Sequence, residues 1–294
     1  MVAIAVAAAT GALALLIPGA AAPGPNDSSV NGQPQARQMG EPAGPEDDPA
    51  PAVPHAPEDG AVNVDVDGFF SWALIDEQGK ISGSENLTAT TWAGSIVKAW
   101  IVADFLRNTA EQGGQPSAER LAQASRTIRD SDDKSANALY QAAGGTAQLE
   151  RMIAICDLTD TTIEGDRWRS VRMSARDAVR LGRCIADGRA AGPWTDWVRT
   201  EMTMVRGSLD QADQPYGGRW GIIDGLPAEL RESGVGIING WIVLESEDEW
   251  HVNCLAVADR WSMAVLTRYP ADRGLRYGAE ACRQVAAELV EPAI

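Results

Sequence analysis

The order of strand-like and helix-like segments constrains the fold of this 294-residue chain more than any single motif. Strand-like segments bounded by turn residues lie at both ends of residues 63–294, as VNVDVDGFFSWALIDEQGKISGSEN and then as GVGIINGWIVLE, EWHVNCLAVAD and RWSMAVLTRYP. Residues 117–188 have the apolar spacing and capping residues of helices, and GAEACRQVAAELV predicts a closing helix. We therefore predict an α+β fold, in which an antiparallel sheet formed from both chain ends accompanies a mostly helical inserted part.

The segment TTWAGSIVKAWI, residues 90–101, joins the first strands to the helical part and contains Ser95 and Lys98. Residues i and i+3 of a helix share one face, so the hydroxyl and the amine are expected within reach of each other. Burial would lower the pKa of the lysine, and a neutral amine can accept the serine proton during attack on a carbonyl. Gly94 permits a tight helix entry. The spacing predicts a nucleophile and its base; the alternative is an ordinary polar residue at the start of a core helix.

A second serine–lysine pair has the same spacing. Ser131 and Lys134 lie in the charged segment RDSDDKSAN, which indicates a solvated helix start. The chain has only three lysines, so Lys98, in an apolar segment, is harder to explain as general surface charge.

Composition excludes several classes of function. A formal net charge of -16 argues against nucleic acid or an anionic membrane surface as partner. The chain has two histidines, His55 in a proline-rich segment and His251 in a predicted strand, which makes a Ser-His-Asp triad a poor explanation. No cluster of histidine and cysteine has metal-ligand spacing. We predict no metal and no other cofactor, and we expect a monomer.

The N-terminal region predicts export. Residues 1–22 form an alanine-rich apolar run that ends in small residues, as a signal peptide does, although its basic start is missing. The alternative is an uncleaved membrane anchor. Residues 23–62 contain nine of the 16 prolines and no hydrophobic periodicity, which predicts a disordered tether or a dispensable leader remnant. Residues 63–294 would form the folded domain of a secreted or cell-envelope protein.

Four cysteines fall within predicted elements rather than loops. Their even number in an exported chain favours disulfides, for which three pairings exist. We prefer Cys156 with Cys184 and Cys254 with Cys282, because each bridge then stays within one part of the fold. The alternative is four buried thiols.

The order of these motifs resembles the class A beta-lactamase and penicillin-binding-protein superfamily of active-site serine enzymes, over residues 63–294. Its members have a nucleophilic serine followed by a lysine, then an SDN motif, then a KTG triplet. The corresponding positions are Ser95 and Lys98, then Ser131, Asp132 and Asp133, then Ile238, Asn239 and Gly240. The segments WGIIDGLPAEL, INGW and WSMAVLTRYP are also similar to exported actinobacterial members that are often described as serine hydrolases.

The resemblance implies an acyl-serine intermediate on Ser95, with Lys98 as base. It implies an oxyanion hole formed by the backbone N–H groups of Ser95 and Trp241, and proton transfer to the leaving group by Ser131. Substrate contacts are expected at Asp133 and at the triplet 238–240. The implied substrate is a small molecule or a peptidoglycan-like compound.

Three departures limit the expected activity. Ile238 replaces a cationic lysine, and a charge-assisted hydrogen bond is worth about 1.5 to 3 kcal/mol. Asp133 replaces an amide; near Lys98 its carboxylate would favour the charged amine, unless it is only a solvated helix-start residue. The segment TDTTIEGDRWRSVRMSARD stands where class A enzymes carry their deacylating glutamate, and we assign that role to neither Glu164 nor Asp166.

We therefore predict an exported serine hydrolase that forms an acyl-Ser95 intermediate on an amide or ester, with weak or absent ordinary beta-lactamase turnover. A carboxypeptidase or related peptidoglycan-acting enzyme would share this chemistry and differ in its substrate. The alternative from another class is a catalytically inactive binding or scaffold protein of the cell envelope that keeps the same fold.

Overall fold

The computed structural model of the chain describes residues 53–55, 62–211 and 218–290. The predicted leader, 1–22, and most of the predicted tether, 23–62, lie outside the described residues. Within the described part of that segment, Val53 packs against the domain, and the backbone N–H of His55 donates to the carbonyl of Leu289 at 2.9 Å. None of the helices in the described ranges has both the length and the apolar character needed to cross a membrane.

The fold is α+β with antiparallel sheets, as predicted. The strands are β1 (Phe69–Ile75), β2 (Ile81–Gly83), β3 (Thr90–Trp92), β4 (Thr162–Ile163), β5 (Val171–Ser174), β6 (Gly236–Leu244), β7 (Glu249–Val257) and β8 (Ser262–Pro270). The helices are α1 (Val97–Glu111), α2 (Ala118–Arg129), α3 (Asp133–Ala142), α4 (Thr146–Ile155), α5 (Ala175–Ala186), α6 (Thr195–Thr203), α7 (Ile222–Gly225), α8 (Ala228–Glu232) and α9 (Gly274–Leu289).

The large sheet is built from both chain ends. Its strand order is β2-β1-β8-β7-β6, and every neighbouring pair is antiparallel. The N-terminal hairpin thus pairs with the C-terminal meander through β1 and β8, in the register Trp72 with Val265. A second, three-stranded sheet has the order β3-β5-β4 and lies in the helical part. Strand β6 is an edge of the large sheet, which leaves one side of its backbone free of strand pairing.

Helices pack on both faces of the large sheet, and the alternation of side chains along β7 shows which helix lies on which face. A Cβ on Gly278 of α9 would meet Val252, whereas a Cβ on Gly182 of α5 would meet Val257 and Ser262. Val252 and Val257 differ by an odd number of positions on β7, so α9 and α5 pack on opposite faces. The face toward α5 also receives the helical insertion, and the functional site lies on that side.

Helix α1 is the central helix of the insertion. All ten residues from Val97 to Leu106 are buried, and a helix that is apolar on every side belongs in a core. Its two buried charged residues are Lys98 and Asp104, and Asp104 is paired with Arg107 and Arg151. Trp100 Nε1 donates to the carbonyl of Gln148 on α4 at 2.8 Å. These contacts fix the position of the helix that carries Lys98.

The two disulfides have the preferred pairing. Cys156–Cys184 links the end of α4 to α5 within the helical part, and Cys254–Cys282 links β7 to α9 within the sheet part. Each bridge therefore stays within one part of the fold, and the alternative of four free thiols is wrong for this structure.

Candidate active site

Ser95 lies in a tight turn between a strand and the central helix. Strand β3 ends at Trp92, the chain turns at Gly94, and a single 3-10 turn, Gly94–Ile96, leads into α1. Gly94 has φ +58°, a left-handed conformation that favours glycine. The expected tight helix entry is therefore present, and Ser95 is partly exposed at its start.

Strand β6 passes very close to this turn. A Cβ on Gly240 would lie 2.7 Å from the backbone nitrogen of Ser95 and 3.1 Å from the carbonyl oxygen of Ala93. Both distances are shorter than ordinary contacts, so the approach requires glycine at this position. Gly240 thus lies against the turn that carries Ser95. The adjacent Trp241 lines the cleft, where its ring packs edge-on against Trp220 with 5.5 Å between centroids.

Strand β7 holds the other side of the turn. Asn253 Nδ2 donates to the carbonyl of Trp92 at 2.7 Å, and His251 Nδ1 is 3.0 Å from Thr91 Oγ1. His251 is buried, and burial lowers the pKa of its ring, although the neighbouring Glu247 opposes this shift. Its other nitrogen, Nε2, is 3.3 Å from Glu247 Oε2. As the sequence predicts, His251 is a strand residue whose two ring nitrogens have partners.

Lys98 is buried beneath the cleft, with 1% of its side chain exposed. Its Nζ donates to the carbonyl of Ser131 and to Ser131 Oγ, the latter at 2.9 Å, and lies 2.7 Å from Asp133 Oδ1. Burial is the main cause that lowers the pKa of Lys98, and the carboxylate of Asp133 opposes it; the net shift is downward. The expected opposition by Asp133 is therefore real, but burial outweighs it.

The turn between α2 and α3 presents these partners to Lys98. Ser131 has φ 55°, uncommon for a residue with a side chain, so its conformation is strained and must be held by its surroundings. On one side Asp130 accepts from Arg206 Nε at 2.6 Å, and on the other Asp132 caps α3 by accepting from the Ser135 backbone N–H at 2.8 Å. Lys134 is exposed, as expected of a solvated helix start, but Ser131 is partly buried and contacts Lys98, so that expectation is wrong for the serine of the second pair.

The segment between β4 and β5 closes over Lys98. Trp168 is almost fully buried; its ring centroid is 5.2 Å from Lys98 Nζ and 5.1 Å from the guanidinium carbon of Arg169. Trp168 Nε1 donates to Asn137 Oδ1 on α3 at 2.7 Å. Arg169 forms an ion pair with Oδ2 of Asp133, the carboxylate whose other oxygen contacts Lys98.

No carboxylate of this segment lines the cleft in the part of the chain that the structure describes. Glu164 lies 3.7 Å from Arg172 Nε, and Asp166 is 94% exposed beside Arg167. The acidic residues that do line the cleft are Asp133 and Glu247.

The cleft has a volume of about 580 Å³ and opens directly above Ser95. One wall comes from the β3–α1 turn and β6, and the other comes from the segment 167–170. Its lining residues are Trp92, Gly94, Ser95, Asp133, Arg167, Trp168, Arg169, Ser170, Trp241, Ile242, Leu244, Ser246 and Glu247.

The predicted site residues divide into two groups. Ser95, Asp133 and Trp241 line the cleft, and Lys98 and Ser131 meet beneath it. In contrast, Ile238 is 2% exposed in the core, and the Asn239 side chain donates to the carbonyls of Gly218 and Trp220, away from the cleft.

Sequence reasoning missed the segment that supplies Trp168 and Arg169. The letters RWRS have no periodicity and no motif, and 22 of the 25 basic residues are arginine, so no signal distinguished Arg169 from the others.

A group of possible metal ligands meets at the far end of the cleft. Single donor atoms of Glu247, Glu249 and His251 lie within 4.8 Å of one another. Arg268 Nε is 3.3 Å from Glu249, and His251 already contacts Glu247. Glu247 and His251 thus contact each other, and Glu249 lies beside a guanidinium.

No protein-family model matches the sequence, and a search of curated proteins finds no significant match. Solved structures do match. A beta-lactamase from Xanthomonas campestris has 16% identity and a TM-score of 0.58, over 76% of this chain and 91% of that one. PBP-A has 17% identity and a TM-score of 0.57, over 77% and 90%. The class A beta-lactamase from Mycobacterium abscessus has 17% identity and a TM-score of 0.54, over 75% and 92%. The chain therefore has the fold shared by class A beta-lactamases and PBP-A, which confirms the resemblance at the level of fold.

Proposed function

We propose that this protein is an exported serine hydrolase that forms an acyl intermediate on Ser95. The observation that carries the proposal is the pairing of a partly exposed serine at the cleft with a lysine buried three residues later, whose pKa burial lowers. A low lysine pKa is what a base must have if it is to be neutral near physiological pH. The two disulfides and the apolar N-terminal run support export.

The acylation step follows from these groups. Ser95 Oγ would form a bond to the carbonyl carbon of an amide or ester while its proton passes to neutral Lys98, and the carbonyl electron pair moves onto oxygen. The backbone N–H groups of Ser95 and Trp241 would stabilise that oxyanion. When the bond to the leaving group breaks, Ser131 Oγ would donate its proton to that group and recover one from Lys98, which lies 2.9 Å away.

Deacylation is expected to be slow. Hydrolysis of an acyl-serine needs a base that positions water, and neither Glu164 nor Asp166 lines the cleft. Asp133 is the acidic group near Lys98, and it is already paired with Lys98 and Arg169. The PBP-A variant L158E, which shares this fold at 16% identity, was captured as an acyl-enzyme complex with penicillin G.

Ordinary beta-lactam turnover is expected to be weak. The position that would supply a cation for a substrate carboxylate holds Ile238, which is buried. The cleft wall along β6 is instead apolar, with Trp241, Ile242 and Leu244. We infer a small-molecule or peptidoglycan-like amide or ester with an apolar group along this wall.

A second candidate function is binding without catalysis, as a scaffold of the cell envelope. One observation favours it: in the described part of the chain, the hydrogen bonds of Lys98 Nζ go to Ser131 and Asp133, and none goes to Ser95. A protonated lysine held in this way could not serve as a base.

Intact-mass measurement separates the two candidates. The protein would be incubated with a reactive beta-lactam and, separately, with a broad fluorophosphonate, beside the control Ser95→Ala. A beta-lactam adduct that requires Ser95 and persists for hours supports acylation with slow turnover, and a Ser95-dependent phosphonyl adduct supports a nucleophilic serine. Absence of any adduct with either reagent supports the binding function.

A further inference from the structure

Asp133 is shared between two cations that come from different parts of the chain. Its Oδ1 lies 2.7 Å from Nζ of Lys98 on α1, and its Oδ2 pairs with Arg169 from the segment between β4 and β5. Lys98 is almost completely buried, whereas Arg169 and Asp133 are each about half exposed, at 51% and 50%. The carboxylate therefore connects the buried amine to a guanidinium at the cleft surface.

The charges around Lys98 decide whether it can be neutral. The charged groups that act on it are Asp133 and Asp132 at the start of α3, and Arg169 opposite them. A carboxylate with no other partner would favour the ammonium form of the buried lysine. The charge of Arg169 is permanent, because a guanidinium does not lose its proton in proteins. It offsets the negative charge of Asp133.

Arg169 is held in this position by its neighbours. The adjacent Trp168 is fixed to α3 by its hydrogen bond to Asn137, and the Tyr140 hydroxyl, also on α3, donates to the carbonyl of Asp166 at 3.1 Å. Both contacts attach the segment to the helix that begins at Asp133. The same helix thus carries the carboxylate and anchors the arginine that pairs with it.

We propose that Arg169 is a positioning residue, which neutralises Asp133 so that Lys98 can give up its proton and act as the base for Ser95. This inference rests on the proposed acyl-serine function. An aspartate at position 133 would otherwise favour the charged form of the lysine; together, Asp133 and Arg169 present Lys98 with a group of no net charge. The Asp133–Arg169 ion pair therefore acts on Lys98 as a neutral side chain at position 133 would.

The direct test does not depend on catalysis. The chain has three lysines, so ¹³C-lysine labelling of the whole protein gives three side-chain signals, and the signal lost in Lys98→Met identifies Lys98. Its titration would be followed by NMR in wild type, Arg169→Ala and Arg169→Gln. The expected result is an upward shift of the Lys98 midpoint in both variants, and a return toward wild type when Asp133→Asn is added to Arg169→Ala.

The matched control is Arg167→Ala. Arg167 lies in the same segment and also lines the cleft, but it is 82% exposed and its ion-pair partner is Asp166. This variant should leave the Lys98 midpoint unchanged. Arg169→Gln keeps a hydrogen-bond donor, and the double variant keeps the local charge balanced, so one of them remains informative if Arg169→Ala does not fold.

The kinetic test is the pH profile of the reaction of Ser95 with the fluorophosphonate, which forms a phosphonyl-serine and releases fluoride. In Arg169→Ala the profile should move to higher pH, and below the midpoint the rate should fall about tenfold for each unit of that shift. An unchanged Lys98 midpoint in folded Arg169→Ala or Arg169→Gln would overturn the inference, whether or not Ser95 is acylated. A shifted midpoint in a protein that no reagent acylates would support the charge relation and refute the proposed function.

Discussion

The replacement Gly240→Ala tests whether the close approach of β6 to the Ser95 turn matters for chemistry. The added Cβ would lie 2.7 Å from Ser95 N and 3.1 Å from Ala93 O, and both are backbone atoms that cannot rotate away. Ordinary contact begins near 3.4 Å, so the strand and the turn must separate by about 0.7 Å. Overpacking of this kind costs about 1 to 3 kcal/mol of folding free energy.

The loss of activity should exceed the loss of stability. The same separation moves the backbone N–H groups of Ser95 and Trp241 apart, and these are the expected donors to the oxyanion. A displaced donor or a misplacement of about 1 Å costs roughly 100-fold in rate. We therefore expect Gly240→Ala to remain folded and to be acylated about 100-fold more slowly, measured by intact mass against time with the reactive beta-lactam.

Gly234→Ala is the matched control. Gly234 lies two residues before β6 and has φ +89°, and a Cβ added there would meet no heavy atom of the described residues within 4 Å. Its replacement costs about 1 to 2 kcal/mol of backbone strain but should leave acylation unchanged. If folded Gly240→Ala is acylated at the wild-type rate, the approach of β6 does not build the oxyanion site, and our assignment of Trp241 is refuted.

Three further outcomes follow from the same contacts. Lys98→Met should abolish acylation while leaving the free energy of unfolding unchanged or higher, because methionine removes the cost of burying the amine, and Asp133, which is half exposed, keeps its pair with Arg169; a large loss in a denaturant melt would contradict this. Burial lowers the pKa of His251 from 6.5, so the unfolded state binds its proton more readily; stability should be complete above pH 6.5 and fall below it, and His251→Asn should flatten that dependence in thermal melts. Replacing Cys254 and Cys282 by serine should cost about 3 to 4 kcal/mol, and removing the other disulfide should cost the same on chain entropy alone, because each bridge spans 28 residues.

Much of the fold could be predicted because its signals are local. Period-two alternation identified the strands at both chain ends, and their pairing into one sheet then required the insertion to lie against a face. The serine–lysine spacing on a helix is equally local. Ten successive buried residues of α1, including Lys98, follow from an apolar segment that has no polar side to expose.

The pairing of Asp133 with Arg169 could not be predicted, because it is set by tertiary packing. Arg169 follows it by 36 residues, in a segment whose path depends on Trp168 and Asn137 meeting. Ile238 and Asn239 were expected at the substrate because of their place in a triplet. The structure buries both, and Asn239 instead holds the chain at Gly218 and Trp220.

The structure keeps the residues proposed for proton transfer together, but it does not place a cation where a substrate carboxylate was expected to bind. The groups proposed to handle the proton, Lys98 and Ser131, are in contact beneath Ser95, and Arg169 pairs with Asp133. The group that would attract a substrate carboxylate is gone, because Ile238 is both apolar and buried. Retained chemistry with altered recognition predicts acylation by small reactive reagents that need few binding contacts, together with poor use of carboxylate-bearing beta-lactams. An inactive scaffold would react with neither kind of reagent. Measuring the rate at which Ser95 is modified by a small reactive reagent and by a carboxylate-bearing beta-lactam therefore distinguishes a changed substrate from a lost reaction.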